Sequence, residues 1–529
     1  MSTFTNSIAL SSNDAVVVPN GPSITYRHLS SIVGHLQTFL NNPTSPLYKT
    51  ALPQNAIAIS LPNGLEFVSV FLAITTAARI AAPLNPAYKK SELDFYLGDL
   101  NARAIIVSKG VVTQNLNNEL LLSAKENKVK LIEVWYDDQR KRVEYEIFDE
   151  NSLKSLYKSL NQPVLINYSS LIPGTAKSGD IALIIHTSGT TGRPKAVPLT
   201  HKNITKSMAN ISKTFKLTSA DKTYLVMPLF HVHGLIGALL STLSTGGTAI
   251  IPPRFSAKVF WSDFVKYGAN WYTAVPTIHL ILLNVAKPDP LPKLRFIRSC
   301  SSALAPDTFS QLEKVFHAPV IESYGSSESS HCMTANNLPP GDRRPGTVGV
   351  GQGVEVAILD DLGNKLSPGS IGEVGVRGEN IMNGYLNNEK ANKESFTSDG
   401  FFRTGDQGYQ DKKDGFLTLT GRIKELINRG GEKISPIELD GVMHSHPEVS
   451  EAVAFGVPDK KYGEAVNAAV VLKLGSHLTE KELQAWLSDK LAKMKVPEKI
   501  FITDKLPKTA TGKIQRRIIA KVFTSKSKL

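Results

Sequence analysis

The sequence predicts an α/β protein: a large N-terminal domain of two parallel-rich β-sheets layered with helices, then a smaller α+β C-terminal domain. Apolar strand-like runs alternate with helical patterns, as in AIAISL (56–61), EFVSVFLAITTAARI (66–80) and AIIV (104–107). Such alternation is typical of parallel sheets that are covered by helices. With 529 residues, the chain also exceeds what one hydrophobic core usually supports.

The pattern changes near Val348. Short strand-like runs follow, VEVAILD, GEVGVRG and GFLTLTG, separated by glycine, aspartate and asparagine. They predict a small antiparallel sheet or barrel over residues 348–421. The chain then starts again, with Pro436 ahead of an amphipathic helix, two strand-like runs and the helix LTEKELQAWLSDKLA. We therefore expect an N-terminal domain over 1–421 and a C-terminal domain over 422–526.

Bulk composition excludes several classes of protein. The chain is 41% hydrophobic and 20% charged, as is usual for soluble globular proteins. No apolar run reaches the roughly 18 residues that a membrane-spanning helix needs. Cys300 and Cys332 are too few for a disulfide framework. The net charge of +13 is compatible with phosphate-rich ligands, with nucleic acid or with no specific partner, but no RNA-binding signature accompanies it.

The tripeptide Ser527-Lys528-Leu529 stands at the end of the sequence. At a free carboxyl terminus, S-K-L is an address that the peroxisomal import receptor binds. We therefore expect import from the cytosol into the peroxisome, with a chance match of three residues as the alternative.

The stretch IALIIHTSGTTGRPKAVPLTH (181–201) carries the strongest chemical signal. An apolar strand (181–185) enters a loop of glycines and hydroxyls that closes on a lysine. Glycines let backbone N–H groups approach an anion, hydroxyls add donors, and the lysine adds a point charge. The spacing G-x-x-G-x-x-K, followed by Ala196, differs from the Walker phosphate loop. We predict a polyphosphate-binding loop, with a flexible hairpin as the alternative. Its candidate residues are Thr187, Ser188, Gly189, Thr190, Thr191, Gly192 and Lys195.

The loop TSGTTGRPK resembles the signature of the adenylate-forming superfamily, which includes acyl-CoA synthetases, luciferases and peptide-synthetase adenylation domains. Further motifs resemble that superfamily in the same order over nearly the whole chain. The resemblance implies that ATP, with Mg²⁺, activates a carboxylate as an acyl-adenylate with release of pyrophosphate. It implies that the acyl group then passes to a thiol, here that of coenzyme A, and that a mobile C-terminal domain rotates between the two steps.

A second motif, ESYGSSE (322–328), ends a predicted strand. An aromatic residue at such an edge can stack on a base, and a carboxylate can hold a metal that bridges phosphates. The resemblance implies that Tyr324 contacts adenine, with Ser323 in the same nucleotide site. It further implies that Ser327 lies near the α-phosphate and that Glu328 binds Mg²⁺ and takes part in catalysis. An ordinary strand–turn segment is the alternative.

The motifs FRTGD (402–406) and GRIKELINRGG (421–431) are similar to the ribose-binding and interdomain segments of the superfamily. The resemblance implies that Asp406 accepts the ribose hydroxyls, a role that suits a carboxylate. It implies that Arg422 binds the ribose and phosphate region and that Lys424 is the hinge. Gly430 and Gly431 would line the channel for the pantetheine of CoA. The alternatives are that Asp406 is an ordinary turn residue and that Arg422–Lys424 is a solvated basic helix start.

The segment PKTATGKI (507–514) resembles the C-terminal lysine motif of the superfamily. Attack of a carboxylate on the α-phosphate brings two anions together, and a lysine can neutralise that charge in the transition state. The resemblance makes Lys513 the predicted catalytic lysine, with Lys508 as the second choice. A lysine in a basic tail is otherwise an ordinary surface residue.

Two segments, MPLFHVHG (227–234) and RSCSSAL (298–304), correspond to the acid-binding pocket of the superfamily. Cys-Ser-Ser stands here where Gly-Ala-Ala is usual, so hydroxyls replace an apolar lining. A polar lining suits a second carboxylate, which must be satisfied after leaving water. We expect a short dicarboxylic acid, with oxalate first. The predicted acid-binding residues are His231, Ser301, Ser302 and His331.

Two of these residues have a second predicted role, His231 in catalysis and Ser302 in the nucleotide site. The alternative is that His233 and His331 are structural histidines held by hydrogen bonds.

The segments LFHVHGL, FIRSCSSALAP and NNLPPG resemble those of oxalate–CoA ligases. That resemblance implies formation of oxalyl-CoA from oxalate, ATP and CoA. The alternatives are a ligase for another short dicarboxylic, a medium-chain or an aryl acid, or an additional RNA-binding role.

Overall fold

A computed structural model describes residues 3–8, 11–41, 56–159, 176–187, 194–508 and 515–525. It contains two large sheets with parallel centres, a small antiparallel sheet and a C-terminal five-stranded sheet. The predicted α/β class, with parallel-rich sheets and a separate C-terminal domain, is thus confirmed. Among the described helices, none is long and apolar enough to cross a membrane.

The first large sheet has eight strands, and its centre is parallel. Alternate residues of its strand 56–60 belong to different apolar cores: Ile57 and Ile59 pack on one face, and Ala56 and Ala58 on the other. Both faces are therefore covered, which explains why the run is apolar throughout. In order across the sheet, with strands numbered along the chain, they are β10 (Lys195–Thr200), β9 (Ile181–Thr187), β4 (Ile80–Pro83), β3 (Ala56–Ser60), β5 (Ala104–Ser108), β6 (Lys130–Asp137), β7 (Arg142–Phe148) and β8 (Ser155–Lys158).

The second large sheet has nine strands, six of them in a parallel centre. Its parallel register aligns Ala274 with Ser299, and Ser299 with Glu322. The carboxyl ends of three strands therefore meet at one edge, the usual place for a ligand in such sheets. The strands across the sheet are β17 (Val350–Gly351), β16 (Thr334–Ala335), β15 (Val320–Tyr324), β14 (Phe296–Ser299), β13 (Trp271–Ala274), β11 (Lys222–Tyr224), β12 (Thr248–Ile250), β1 (Asp14–Val17) and β2 (Ser23–Thr25).

Helices cover these sheets and the C-terminal sheet. A π-helix, Leu235–Leu240, joins two short helical turns directly after the segment PLFHVHG. Such π-segments occur frequently at functional sites. The α-helices are α1 (Tyr26–Leu40), α2 (Leu65–Thr76), α3 (Lys90–Asp99), α4 (Asn118–Glu126), α5 (His201–Thr214), α6 (Val232–Gly234), α7 (Ser241–Leu243), α8 (Phe260–Lys266), α9 (Pro276–Asn284), α10 (Pro306–Phe316), α11 (Glu389–Ser395), α12 (Pro436–His444), α13 (Glu480–Ser488) and α14 (Arg516–Ser525).

The small antiparallel sheet consists of β18 (Glu355–Leu359), β19 (Gly372–Arg377), β20 (Phe402–Gln410) and β21 (Leu417–Arg422). The sequence does not predict β20 as a strand, because its polar residues and internal glycines lack an apolar alternation. The C-terminal sheet contains β22 (Ile427–Arg429), β23 (Glu432–Ile434), β24 (Val449–Asp459), β25 (Gly463–Leu472) and β26 (Lys499–Ile502). The one-turn 3₁₀ helix Ile423–Glu425 joins the two sheets. The boundary between residues 421 and 422 stays a prediction.

Candidate active site

An aromatic residue and a carboxylate from different sheets form the first part of the site. Tyr324 ends β15, and its phenol donates a 2.5 Å hydrogen bond to Oδ2 of Asp406 on β20. The other carboxylate oxygen of Asp406 lies 3.3 Å from Nε of Arg422, at the end of β21. Burial, followed by the charge of Asp406, raises the pKa of Tyr324 well above its ordinary value, so the phenol stays a donor. Burial likewise raises the pKa of Asp406, and Arg422 opposes that shift.

A tyrosine that the sequence does not predict links the phosphate-loop lysine to the candidate metal ligand. The hydroxyl of Tyr385 donates to Oε1 of Glu328 over 2.9 Å. Nζ of Lys195 lies 4.4 Å from the centre of the same ring, in a cation–π contact. Burial, with Glu328 as the next cause, raises the pKa of Tyr385. Tyr385 thus connects groups from two distant segments, and its only sequence signal is a turn-like NGYLNN segment.

The predicted phosphate loop connects two antiparallel strands. Thr187 ends β9 and stands directly opposite Lys195, the first residue of β10. Ser188, Gly189, Thr190, Thr191 and Gly192 lie outside the described residues. On the preceding residue, Nε2 of His186 is 2.8 Å from a carboxylate oxygen of Asp99. That contact anchors the strand that leads into the loop.

Ser301 and His233 meet in the predicted acid pocket. Nδ1 of His233 is hydrogen-bonded to Oγ of Ser301 at 3.0 Å, and its Nε2 to Oγ1 of Thr273 at 2.6 Å. Both ring nitrogens are therefore engaged. Ser301 has φ of 73°, in the left-handed region that a non-glycine residue rarely adopts. Strain of this kind clusters at functional sites.

His331 is buried, and its ring is stacked on that of His233, with centroids 4.9 Å apart. Its own φ is 97°. Two glycines, Gly237 and Gly325, make room for it. A Cβ on Gly237 would lie 2.3 Å from Nε2 of His331, and a Cβ on Gly325 would lie 1.4 Å from its carbonyl oxygen. The close packing defines the place of His331 in the pocket.

The other predicted pocket and nucleotide residues lie nearby in different settings. The hydroxyl of Ser302 is exposed and bonds to the carbonyl oxygen of Ser301 at 2.8 Å. His231 is half-buried ahead of α6, with its ring 4.8 Å from that of Phe230. Ser327 is half-buried, in the turn before His331. Oγ of Ser323 accepts a hydrogen bond from Nε of Arg298 at 2.9 Å. The roles predicted for these four residues stay predictions.

Glu322 is a buried carboxyl beside the loop that carries Ser301. Its Oε1 accepts a 3.0 Å hydrogen bond from the backbone N–H of Leu304, and its Oε2 has no hydrogen-bond partner among the described residues. Burial raises the pKa of Glu322 to about 8, which the bond from Leu304 partly opposes. The group is therefore largely protonated near neutral pH. The sequence identified its position within a motif but not this state.

The remaining predicted residues belong to the interdomain segment and the C-terminal domain. Lys424 lies in the 3₁₀ turn between the sheets. Gly430 and Gly431 form the turn between β22 and β23 with φ of 61° and 92°, so the turn itself requires glycine. Nζ of Lys508 pairs with Glu451 at 2.7 Å. Lys513 lies outside the described residues, as does the tripeptide 527–529.

Arg516 closes this region after the predicted catalytic loop. Its Nη2 is 2.6 Å from a carboxylate oxygen of Asp440, and its Nε is 3.4 Å from Glu425. Nη1 also donates to the carbonyl oxygen of Ala454 at 2.9 Å. The start of α14 is thus tied to the segment beside the predicted hinge.

These features define the class of protein. The model of the family described as AMP-binding enzyme matches residues 6–386, and that of the AMP-binding enzyme C-terminal domain matches residues 438–513. The chain belongs to the AMP-binding enzyme family. Tyr324 and Glu328 lie inside the larger match, and Asp406 lies between the two matches.

Particular relatives extend over the full chain. An oxalate–CoA ligase of Saccharomyces cerevisiae is 56% identical over 99% of this chain and 97% of its own length. An oxalate–CoA ligase of Arabidopsis thaliana is 47% identical over 90% and 89%. The crystal structure of ATP-bound MatB from Rhodopseudomonas palustris has a TM-score of 0.86 at 26% identity, covering 99% of this chain and 100% of that one. The apo form of MatB has a TM-score of 0.76.

Proposed function

We propose that this protein is an ATP-dependent oxalate–CoA ligase, which forms oxalyl-CoA, AMP and pyrophosphate through an oxalyl-adenylate. The observation that carries the proposal is the full-length identity of 56% to an oxalate–CoA ligase. The polar setting of Ser301, His233 and His331 supports it, because a second carboxylate needs polar partners when it leaves water, whereas an apolar acyl chain does not.

Three residues suit the nucleoside of ATP. The ring of Tyr324 would stack on adenine at the carboxyl edge of β15. Asp406 would accept the ribose hydroxyls, because each of its oxygens has two acceptor sites and the phenol of Tyr324 and the guanidinium of Arg422 use only one each. Arg422 would then share its charge between Asp406 and the phosphate. Lys195 and the loop residues 188–192 would hold the β- and γ-phosphates.

Glu328 is the proposed ligand of Mg²⁺. The described residues contain no group of three or more metal-ligating side chains. One carboxylate fits this ion nonetheless, because Mg²⁺ is usually held by one or two carboxylates, substrate phosphates and water. When bound, the ion neutralises phosphate charge. The residues would then have separate tasks: Glu328 would hold the ion, Tyr385 would orient Glu328 through its hydroxyl, and Lys195 would contact the phosphates.

The first step is adenylation. A carboxylate oxygen of oxalate attacks the α-phosphorus, the bond to the bridging oxygen of the β-phosphate breaks, and pyrophosphate leaves. His231, Ser301, Ser302 and His331 are the proposed groups around the acid. Lys513 would neutralise the charge that builds up as the two anions meet. Ser327 would contact the α-phosphate from the turn after Tyr324.

The second step is thioester formation. The thiol of CoA loses its proton, its sulfur attacks the oxalyl carbonyl carbon, and the carbon–oxygen bond to AMP breaks. Rotation of the C-terminal domain about Lys424 would replace Lys513 at the site by the turn of Gly430 and Gly431. The absence of side chains at that turn leaves space for pantetheine.

Pyrophosphate release by the purified protein, measured with acids from C2 to C16, tests the proposed function. We expect the highest kcat/KM with oxalate, together with CoA-dependent formation of oxalyl-CoA detected by mass spectrometry. A higher kcat/KM with octanoate or coumarate would overturn the proposal. Malonate and succinate in the same series separate oxalate from other dicarboxylic acids. Nucleic-acid retention on a filter at physiological salt tests the RNA-binding alternative.

We further propose a peroxisomal location, through binding of the import receptor to Ser527-Lys528-Leu529. A fluorescent protein fused to the N-terminus should accumulate in peroxisomes. The same fusion without Leu529 should remain in the cytosol, because the receptor requires the complete tripeptide at a free terminus. Equal distribution of the two fusions would contradict the proposal.

A further inference from the structure

A positive charge lies buried behind the acid pocket without a matching negative charge. Arg298, on β14, has no exposed surface. A guanidinium stays charged at any pH that a protein tolerates. None of the ion pairs among the described residues includes Arg298, and its Nη2 has no hydrogen-bond partner among them. An uncompensated buried charge is costly, so its presence needs an explanation.

The contacts of Arg298 do not neutralise it. Nε donates to Oγ of Ser323 at 2.9 Å, and Nη1 donates to the carbonyl oxygen of Gly237 at 3.4 Å. The guanidinium carbon lies 4.9 Å from the ring centre of Phe215. These partners are neutral. They hold the side chain in place and leave its charge without a negative partner among the described residues.

The charge lies next to the stacked histidines. A Cβ on Gly237 would lie 3.1 Å from Nη1 of Arg298 and 2.3 Å from Nε2 of His331, so both side chains pack closely against Gly237. His331 stacks on His233, which in turn bonds to Ser301. The described residues of this cluster carry donors and a fixed positive charge, and no carboxylate.

We propose that the charge of Arg298 selects acids with a second carboxylate, and that Arg298 is a specificity-determining residue of this enzyme. The inference rests on the proposed function. Lys513 and Mg²⁺ would offset the charge of the reacting carboxylate at the α-phosphate, whereas the second carboxylate has no counter-charge on that side. Arg298, beside Gly237 and the stacked histidines, supplies that counter-charge. A monocarboxylic acid of equal length leaves the guanidinium uncompensated and is therefore discriminated against.

A purely structural role makes different predictions. If Arg298 only connected β14 to Ser323 and Gly237, its removal would lower stability and would impair all acids alike. If its charge serves the substrate, a neutral side chain of similar length should leave the ligand-free protein as stable as the wild type, or more stable. It should impair only acids with a second carboxylate.

The experiment compares Arg298→Met and Arg298→Lys with the wild type. Glyoxylate, which has the length of oxalate but one carboxylate, is the matched acid. We measure kcat/KM for both acids by pyrophosphate release, and the thermal midpoint with and without oxalate. Arg377→Met is the control variant, because it removes one exposed guanidinium paired with Glu355, on the small sheet.

In Arg298→Met, the ratio of kcat/KM for oxalate to that for glyoxylate should fall about 100-fold. Oxalate should no longer raise its thermal midpoint. Arg298→Lys, which keeps the charge, should lose no more than about 10-fold of the ratio. Arg377→Met should leave the ratio within about twofold of the wild type.

An unchanged ratio in Arg298→Met, or an equal loss with both acids, would overturn the inference. If that variant does not fold, Arg298→Gln, which also removes the charge, replaces it, and an unchanged ratio in Arg298→Gln or a second failure to fold overturns the inference. Failure of the wild type to use oxalate contradicts the proposed function instead. The inference then stands if malonate or succinate is the substrate and Arg298→Met loses it selectively, and it fails if only monocarboxylic acids react.

Discussion

The phenol of Tyr324 donates a 2.5 Å hydrogen bond to Asp406, 82 residues further along the chain. The bond joins the second large sheet to the small antiparallel sheet. It fixes an aromatic ring and a carboxylate in one geometry, so the proposed contacts to adenine and ribose form together. Because Arg422 pairs with the other oxygen of Asp406, the nucleoside site extends to the start of the interdomain segment.

Removal of this bond should weaken ATP binding. Tyr324→Phe keeps the ring but leaves Oδ2 of Asp406 without its donor. We expect KM for ATP to rise about 10-fold, as is usual for the loss of a hydrogen bond to a charged group, with little change in KM for the acid. Isotope exchange between pyrophosphate and ATP measures this. Tyr409→Phe, which removes a hydroxyl from the same strand, is the control; equal effects in both variants would contradict the assignment.

Tyr385 should affect magnesium and phosphate binding separately. Tyr385→Phe keeps the ring under Lys195 but removes the bond to Glu328. We expect it to raise the Mg²⁺ concentration for half-maximal activity by about 10-fold. Tyr385→Leu also removes the cation–π contact and should raise KM for ATP by a further factor of about 2 to 5. Initial rates over a grid of Mg²⁺ and ATP concentrations separate the two effects. Identical kinetics for the two variants would show that the ring contact is irrelevant.

The two pocket serines should differ in importance. The hydroxyl of Ser301 bonds to His233, whereas that of Ser302 is exposed and bonds to a neighbouring carbonyl. Ser301→Ala should raise KM for oxalate about 10-fold, because it leaves a buried imidazole nitrogen without its partner. Ser302→Ala should raise it less. Steady-state kinetics with oxalate measure both, and a larger effect at Ser302 would make Ser302 the acid ligand.

Glu322 should make stability depend on pH. Its pKa of about 8 in the folded protein exceeds the ordinary value of 4.5, so the folded state binds this proton more tightly than the unfolded state. Its contribution to stability is therefore complete below about pH 4.5 and is lost as the pH rises through about 8. Glu322→Gln removes this dependence. The stability of the variant relative to the wild type should grow by at least about 1 kcal/mol between pH 5.5 and 8.5.

Urea unfolding followed by tryptophan fluorescence measures this difference at each pH. The control is Glu355→Gln. Its carboxylate is exposed, and Lys365, followed by Arg377, lowers its pKa. Its contribution is lost only as the pH falls below 4.5, so that variant should show no trend between pH 5.5 and 8.5. A flat difference for Glu322→Gln as well would contradict a protonated Glu322.

Local patterns predicted much of the fold. The run 56–61 became β3 (Ala56–Ser60), and the helical run 66–80 became α2 (Leu65–Thr76). Strand β11 (Lys222–Tyr224) ends at Tyr224, where the chain leaves the sheet for the segment that carries His231 and His233. Strand β20 was not predicted, since its pairing depends on the neighbouring strands β19 and β21 and not on its own periodicity.

The sequence by itself determined the α/β class, the separate C-terminal domain and the order of the motifs, because apolar periodicity and short motifs are local properties of the chain. The tertiary structure alone decided that Tyr385 bridges Lys195 and Glu328, that Gly237 and Gly325 make room for His331, and that Arg298 is buried without a counter-charge. Each of these three findings depends on which residues the fold brings into contact. A charge is noteworthy only when its burial and its partners are known, and neither is written in the sequence.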